Sequence, residues 1–173
     1  MRRFVCASAI ALGLVLLKGP GLTGAALPDR GVSINDACDP KTFNAIGLGV
    51  ICFRDGGITF QDFIATLTAH QSIGAWHFGP SDTTAQVGQS FVATNHGGEQ
   101  HTFTRVAAFG GGIVELLNNL AGVPKVAQEC THLEPDDFIV PGASYEPQTI
   151  THTGITKFQC CIHPWMRAVV DVE

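Results

Sequence analysis

The 173-residue sequence is long enough for one domain with extensions, and its 45% hydrophobic and 14% charged content indicates a packed globular chain rather than a disordered one. It has 10 Lys and Arg against 15 Asp and Glu, a formal net charge of −5. This balance argues against a nucleic-acid-binding protein, because phosphate binding needs clustered Lys and Arg.

The first 26 residues are typical of a secretory signal peptide. Arg2 and Arg3 precede an apolar run from Phe4 to Leu17, and small residues at 23–26 offer cleavage sites. The run is short for a membrane span and ends at Lys18, so an uncleaved anchor is the less favoured alternative. We expect an exported protein, periplasmic or extracellular, with no membrane span in the mature chain. Cleavage removes three cations and no acid, which moves the net charge from −5 to −8.

Residues 27–74 are predicted as a partly helical N-terminal extension with an irregular lead-in at 27–34. Thr59 followed by Asp62 resembles a capping box. The apolar residues after it recur at helical spacing, which predicts an amphipathic helix from Thr59 to His70.

From residue 75 onward the pattern changes to short strands separated by Gly and Pro. Gly88-Gln89 is predicted as a hairpin turn between strands at 85–87 and 90–94. Further strands are predicted at 75–78, 101–106, 138–140, 148–153, 156–160 and 168–172, with a short helix at 113–120. Many short strands of this kind predict an all-β sandwich or barrel over residues 75–173.

Five cysteines remain after the predicted cleavage, namely Cys38, Cys52, Cys130, Cys160 and Cys161. Disulfides persist outside the cytosol, but an odd number leaves one thiol to be explained. Cys38 and Cys52 bracket a short segment, and a bridge between them would contribute about 3 kcal/mol. A metal ligand would account for the odd thiol and leave four cysteines for two bridges.

The most informative motif is Cys160-x-x-His163-x-x-Met166, which places a thiolate, an imidazole and a thioether on one loop. With a second His, this is the ligand set of a blue-copper electron-transfer site. His101, at the start of a predicted strand, is favoured as that ligand because a strand end holds a side chain more rigidly than a turn does. His96, in the turn at 95–98, is the alternative.

Other interpretations of the same residues are less consistent. Taken one at a time, Met166 could simply fill the core, His163 could be an ordinary loop residue and Cys160 could form a disulfide. Zinc also uses Cys and His but does not need Met. The chain has no His-x-His pair of a multicopper oxidase, and adjacent cysteines fit a binuclear copper centre badly. Gly110–Gly112 lacks the Lys-Ser/Thr of a phosphate-binding loop. We therefore expect that the protein is not an enzyme.

The segment from Phe158 to Arg167 resembles the copper loop of the cupredoxins, the small blue copper proteins, and its spacing and Pro164 are most like amicyanin. The segment from Asn95 to Phe103 resembles the family's strand that bears the first His. The resemblance covers about residues 75–173. It implies a Greek-key β-sandwich with one type 1 copper, held by His101, Cys160, His163 and Met166.

Neighbouring residues carry further expectations. Phe103, Pro164 and Trp165 would form an apolar surround that limits water. Thr102 stands where many family members have Asn, and its hydroxyl is expected to lock the loop instead. Side chains alternate along a strand, so Cys161 should face away from the metal. If Cys160 is a ligand and Cys38 pairs with Cys52, only Cys130 and Cys161 are left, and they would form the second bridge.

The sequence therefore predicts a single-copper protein that transfers electrons between redox proteins through an exposed edge of His163. Its negative charge favours a donor or acceptor with a basic docking face. One alternative is a copper-binding or scavenging module that carries the metal rather than electrons. Another is a metal-free adhesive β-sandwich, which would have no free thiol.

Overall fold

The computed structural model describes residues 27–145 and 148–173. The predicted signal peptide, residues 1–26, lies outside the described residues. Within the described ranges, no helix is long and apolar enough to cross a membrane.

This part of the chain contains eight strands and three α-helices. The strands are β1 (Arg30–Asn35), β2 (His77–Gly79), β3 (Asp82–Ala85), β4 (Ser90–Asn95), β5 (Thr104–Val106), β6 (Gln148–Thr149), β7 (Gly154–Gln159) and β8 (Arg167–Val172). The helices are α1 (Pro40–Phe43), α2 (Phe60–His70) and α3 (Glu115–Leu120). The predicted helices at 59–70 and 113–120 are thus confirmed, whereas the strand predicted at 138–140 is reduced to one bridge between Ile139 and His101.

The strands form two four-stranded sheets, ordered β2-β1-β4-β6 and β3-β8-β7-β5. The predicted β-sandwich is confirmed. The hairpin predicted around Gly88 is wrong, because β3 pairs in parallel with β8 while β4 pairs with β1 in the other sheet. The alternation of apolar and polar residues predicts where strands lie. It does not predict that two strands adjacent in sequence belong to different sheets.

The predicted irregular lead-in at 27–34 is also wrong. Residues 30–35 form β1, which lies inside its sheet, antiparallel to β2 and parallel to β4. Val32 and Ile34 are buried in the core, while Ser33 and Asn35 are only partly buried. The N-terminal extension therefore contributes a central strand to the sandwich.

Aromatic side chains fill the space between the sheets. The rings of Phe91 on β4 and Phe158 on β7 lie 6.1 Å apart, and Phe158 stacks on Phe103 at 4.3 Å. Phe78 meets the edge of Phe103 at 5.1 Å. This rigid apolar layer fixes the strand ends from which the loops at one end of the sandwich extend.

Helix α2 covers that end of the sandwich. The Thr59 hydroxyl accepts a hydrogen bond from the Asp62 backbone N–H at 3.1 Å and donates to the Asp62 carboxylate at 2.7 Å, so Thr59 is the N-cap of the helix. Phe63 and Leu67, one turn apart, are buried in the same core cluster as the sheets. The Cys38–Cys52 disulfide anchors the segment before the helix.

We predict that Thr59→Ala lowers the free energy of unfolding by about 1 kcal/mol, because the N-terminal N–H of α2 loses its acceptor. Chemical denaturation followed by circular dichroism measures the change. Thr68→Ala is the matched control, since the Thr68 hydroxyl only back-bonds to the Ile64 carbonyl on the exposed face of the same helix. Equal effects of the two substitutions would contradict the capping role.

Candidate metal centre

Three sequence-predicted ligands converge at the end of the sandwich under α2. Cys160 directly follows β7, His163 lies in the turn before β8, and His101 precedes β5. One ligand atom from each lies within 4.8 Å of the others. All three residues are buried, with exposed fractions of 0% for His101 and Cys160 and 2% for His163.

The spacing of the ligand atoms suits a single ion. Cys160 Sγ lies 3.7 Å from His101 Nδ1 and 3.9 Å from His163 Nδ1. A sulfur at about 2.3 Å and a nitrogen at about 2.0 Å from one ion lie about 3.5–3.7 Å apart when they subtend about 110–120°. The two rings thus present the same nitrogen to the same sulfur at a distance close to that of co-ligands.

The turn that carries Cys160 and His163 is closed by its own backbone. The Met166 N–H donates to the His163 carbonyl at 2.9 Å, and the Cys160 N–H donates to the Met166 carbonyl at 3.0 Å. Met166 itself is buried, with 1% exposed. These backbone hydrogen bonds hold the residues of the motif together without the help of an ion.

Two backbone N–H groups donate to the cysteine sulfur, those of Thr102 and His163, each at 3.4 Å. The first comes from the residue after His101 and the second from the closed turn. Hydrogen bonds of this kind stabilise the negative charge of a thiolate. The sulfur is therefore held as an anion from both sides of the site.

Thr102 also fixes the loop to its neighbour. Its hydroxyl accepts a hydrogen bond from the Cys161 N–H at 2.8 Å. Cys161 faces away from the cluster and forms the disulfide with Cys130. Gly112 packs so closely against this strand end that a Cβ there would overlap the Cys161 carbonyl. Cys160 is the free cysteine among the described residues.

Asp36 occupies the outer side of the His101 ring. Its carboxylate lies 2.9 Å from His101 Nε2 and accepts the N–H groups of Gly98 and Glu99, each also at 2.9 Å. Its side chain is 1% exposed. Gly97 allows this approach, since a Cβ at that position would overlap the Asp36 carboxylate.

Glu99 lies beside the Nε2 atom of His163, as Asp36 lies beside that of His101. Its Oε2 lies 3.6 Å from His163 Nε2 and accepts the indole N–H of Trp76 at 2.7 Å. Sequence reasoning identified neither carboxylate. Glu99 lies two residues before His101, a spacing that puts two side chains on one face of a strand, whereas nothing in the sequence connects Asp36 with a residue 65 positions later.

Electrostatics couples the cluster. Burial raises the pKa of the Cys160 thiol, but hydrogen bonds from the two His rings outweigh it and hold that pKa well below 9.0. Burial lowers the pKa of His101, yet hydrogen bonds to Asp36 and Cys160 raise it to about 9. For Asp36 the bonds from His101 and the backbone outweigh burial and lower the pKa to about 2. Burial raises the pKa of Glu99.

The edge of His163 was expected to be exposed, and that expectation is wrong. The ring packs against Trp165 at 5.4 Å and against Phe63 of α2 at 6.4 Å, both between centroids. Pro164 is buried and Trp165 half-buried. His96, the alternative ligand, is exposed and is not part of the cluster.

No protein-family model and no curated protein matches the sequence. Among solved structures, the chain is similar to a purple cupredoxin from Nitrosopumilus maritimus, at 16% identity over 84% of this chain and 100% of that chain, with a TM-score of 0.46. It is similar to the plastocyanin of Dryopteris crassirhizoma, at 14% identity over 83% of this chain and 100% of that one, with a TM-score of 0.40.

A reduced variant of amicyanin is a third similar structure, at 20% identity over 59% of this chain and 78% of that chain, with a TM-score of 0.40. Identity and structural overlap are both low. What the chain itself defines is a two-sheet β-sandwich with a buried Cys-His-His centre.

We predict that Asp36→Asn destabilises the metal-free protein in a pH-dependent way. A pKa lowered from 3.8 to about 2 means that ionised Asp36 stabilises the fold above about pH 4 and loses this effect as the pH falls through about 2. The free energies of unfolding of wild type and variant should differ by about 2 kcal/mol near pH 6 and converge towards pH 2. Urea titrations across this range measure the difference, and a constant gap would contradict an ionised carboxylate.

Proposed function

We propose that this protein is a type 1 copper protein of the cupredoxin kind, which exchanges single electrons with redox partners. Its ligands would be His101, Cys160, His163 and, as a weaker fourth ligand, Met166. The observation that carries the proposal is the convergence of two imidazole Nδ1 atoms on one free, buried cysteine sulfur at 3.7 and 3.9 Å.

The donor set favours copper over zinc. A thiolate with two imidazoles, in a motif that also contains Met166, combines soft and borderline ligands that suit both Cu(I) and Cu(II). Structural zinc sites prefer four Cys or His ligands, and the cluster has three among the described residues. A bound copper would supply the one-electron couple. The protein's own groups would hold the ligands in one arrangement for both oxidation states.

Burial favours electron transfer over the alternative of a copper carrier. A carrier must release its ion to a partner, which requires ligands that an incoming group can reach. Here helix α2, Trp165 and Pro164 cover the cluster. An electron can pass through such a cover, whereas an ion cannot leave without moving it. Slow loss of copper to a chelator would support this choice.

The free thiol argues against the metal-free adhesive sandwich. That interpretation requires every cysteine of the mature chain to be bridged, but the two disulfides leave Cys160 as a thiol whose pKa is held low. The adhesive interpretation gives this buried thiol no role, whereas a metal site uses it as a ligand. The proposal includes export of the chain and partners with a basic docking face, in line with its acidic composition.

We propose that electrons reach the centre through Trp165 and not through an exposed edge of His163. Trp165 is half-buried and lies 5.4 Å from the His163 ring, so it joins the centre to the surface. A redox partner would then contact the protein near Trp165 rather than His163 itself.

Reconstitution with Cu(II) should produce an intense visible thiolate-to-copper charge-transfer band at one copper per chain. Cys160→Ala should abolish the band, because the thiolate is its source. His96→Ala is the matched control and should leave the band unchanged, since His96 is exposed and outside the cluster. A colourless protein that binds no copper would overturn the proposal.

We predict that Asp36→Asn raises the reduction potential of the copper-loaded protein by about 50–100 mV. A carboxylate on the outer nitrogen of His101 makes the ring a stronger donor and favours Cu(II) over Cu(I), by about 1–2 kcal/mol. Asp39→Asn is the control, because Asp39 caps α1 in the same segment but does not touch the cluster. Direct electrochemistry gives both potentials. Equal potentials for the two variants would show that Asp36 has no electronic effect.

A further inference from the structure

A cavity of about 460 Å³ opens beside the cluster, between α2, the segment at 46–53 and α3. This volume lies within the range of sites that bind small organic molecules. Its described lining is apolar except for Glu99, Gln100 and His163. Four phenylalanines contribute to the walls, Phe43, Phe53, Phe60 and Phe63.

The rim of the cavity exposes an unusual amount of apolar surface. Five of its lining side chains, namely Leu48, Val50, Phe53, Leu116 and Val140, are 51–74% exposed. Single exposed apolar residues are ordinary, but a contiguous group around a concave opening marks a binding surface. The exposed group here leads inward to His163.

Two polar groups lie side by side at the inner end. Glu99 Oε2 and His163 Nε2 are 3.6 Å apart, which is longer than a hydrogen bond. The Nδ1 atom of His163 faces Cys160, so Nε2 is the ring nitrogen on the side of Glu99. The pair therefore offers two neighbouring polar atoms to a small hydroxyl group.

We propose that this cavity binds a neutral aromatic alcohol of one or two rings, with its hydroxyl between Glu99 and His163. The hydroxyl would donate to Glu99 Oε2 and lie within hydrogen-bonding reach of His163 Nε2. The ring would pack against the phenylalanine walls, where edge and offset contacts are favourable. Among the described residues no Lys or Arg lines the cavity, so an anionic ligand has no positively charged side chain to pair with and is disfavoured.

The binding site does not require the metal, although it would place the ligand against a proposed copper ligand. 2-Naphthol is the probe, titrated into the metal-free full chain by calorimetry. We expect saturable binding of one molecule per chain. Naphthalene, which lacks the hydroxyl, should bind about fivefold or more weakly, and naphthalene-2-sulfonate should not bind.

Substitutions at exposed rim positions test the location with little risk to folding. Leu116→Trp and Val140→Trp narrow the opening and should weaken 2-naphthol binding at least about tenfold by filling the space that the rings occupy. Ile155→Trp is the matched control, because Ile155 is 59% exposed on β7 and does not line the cavity. Circular dichroism checks that all three variants keep the fold.

Absence of saturable binding, equal binding by the rim variants and the control, or a dimer of the chain that blocks the cavity would each overturn the inference. Failure of the copper proposal appears separately, as a missing charge-transfer band in the protein without 2-naphthol. In copper-loaded protein, bound 2-naphthol should shift that band, since it contacts His163.

Discussion

The buried chain of hydrogen-bonding groups from Asp36 through His101 to Cys160 is the constraint on which the rest of the structure depends. A thiolate and a carboxylate that are both removed from water are costly unless the groups between them share the charge. The His101 ring does so with one nitrogen towards each anion. Backbone N–H groups of Gly98, Glu99 and Thr102 complete the arrangement, so the loops that carry them have little freedom.

This constraint explains why the N-terminal segment is part of the sandwich. Asp36 directly follows β1, which is fixed between β2 and β4, and this position holds the carboxylate against His101. The Cys38–Cys52 bridge and helix α2 then follow in sequence and close over the same end. One continuous segment therefore provides the Asp36 carboxylate and also covers the centre with α2.

The cover changes how the proposed centre exchanges electrons. Phe63 and Trp165 pack against His163, which is 2% exposed, and burial of this kind strengthens the interactions of the nearby carboxylates. The same cover leaves an apolar cavity against His163 instead of a flat exposed edge. Contact with the surroundings then runs through Trp165 and through whatever occupies the cavity.

The local pattern of the sequence was enough to predict the Cys-x-x-His-x-x-Met turn, the capped helix α2, the β character of residues 75–173 and an odd cysteine. Each of these depends on spacing within a few residues or on a count. The assignment of β1, the separation of β3 and β4 into two sheets, the place of Asp36 and the burial of His163 were decided only by the tertiary structure. They arise from contacts between segments far apart in the chain, and local periodicity carries no information about which distant surface a strand or carboxylate will meet.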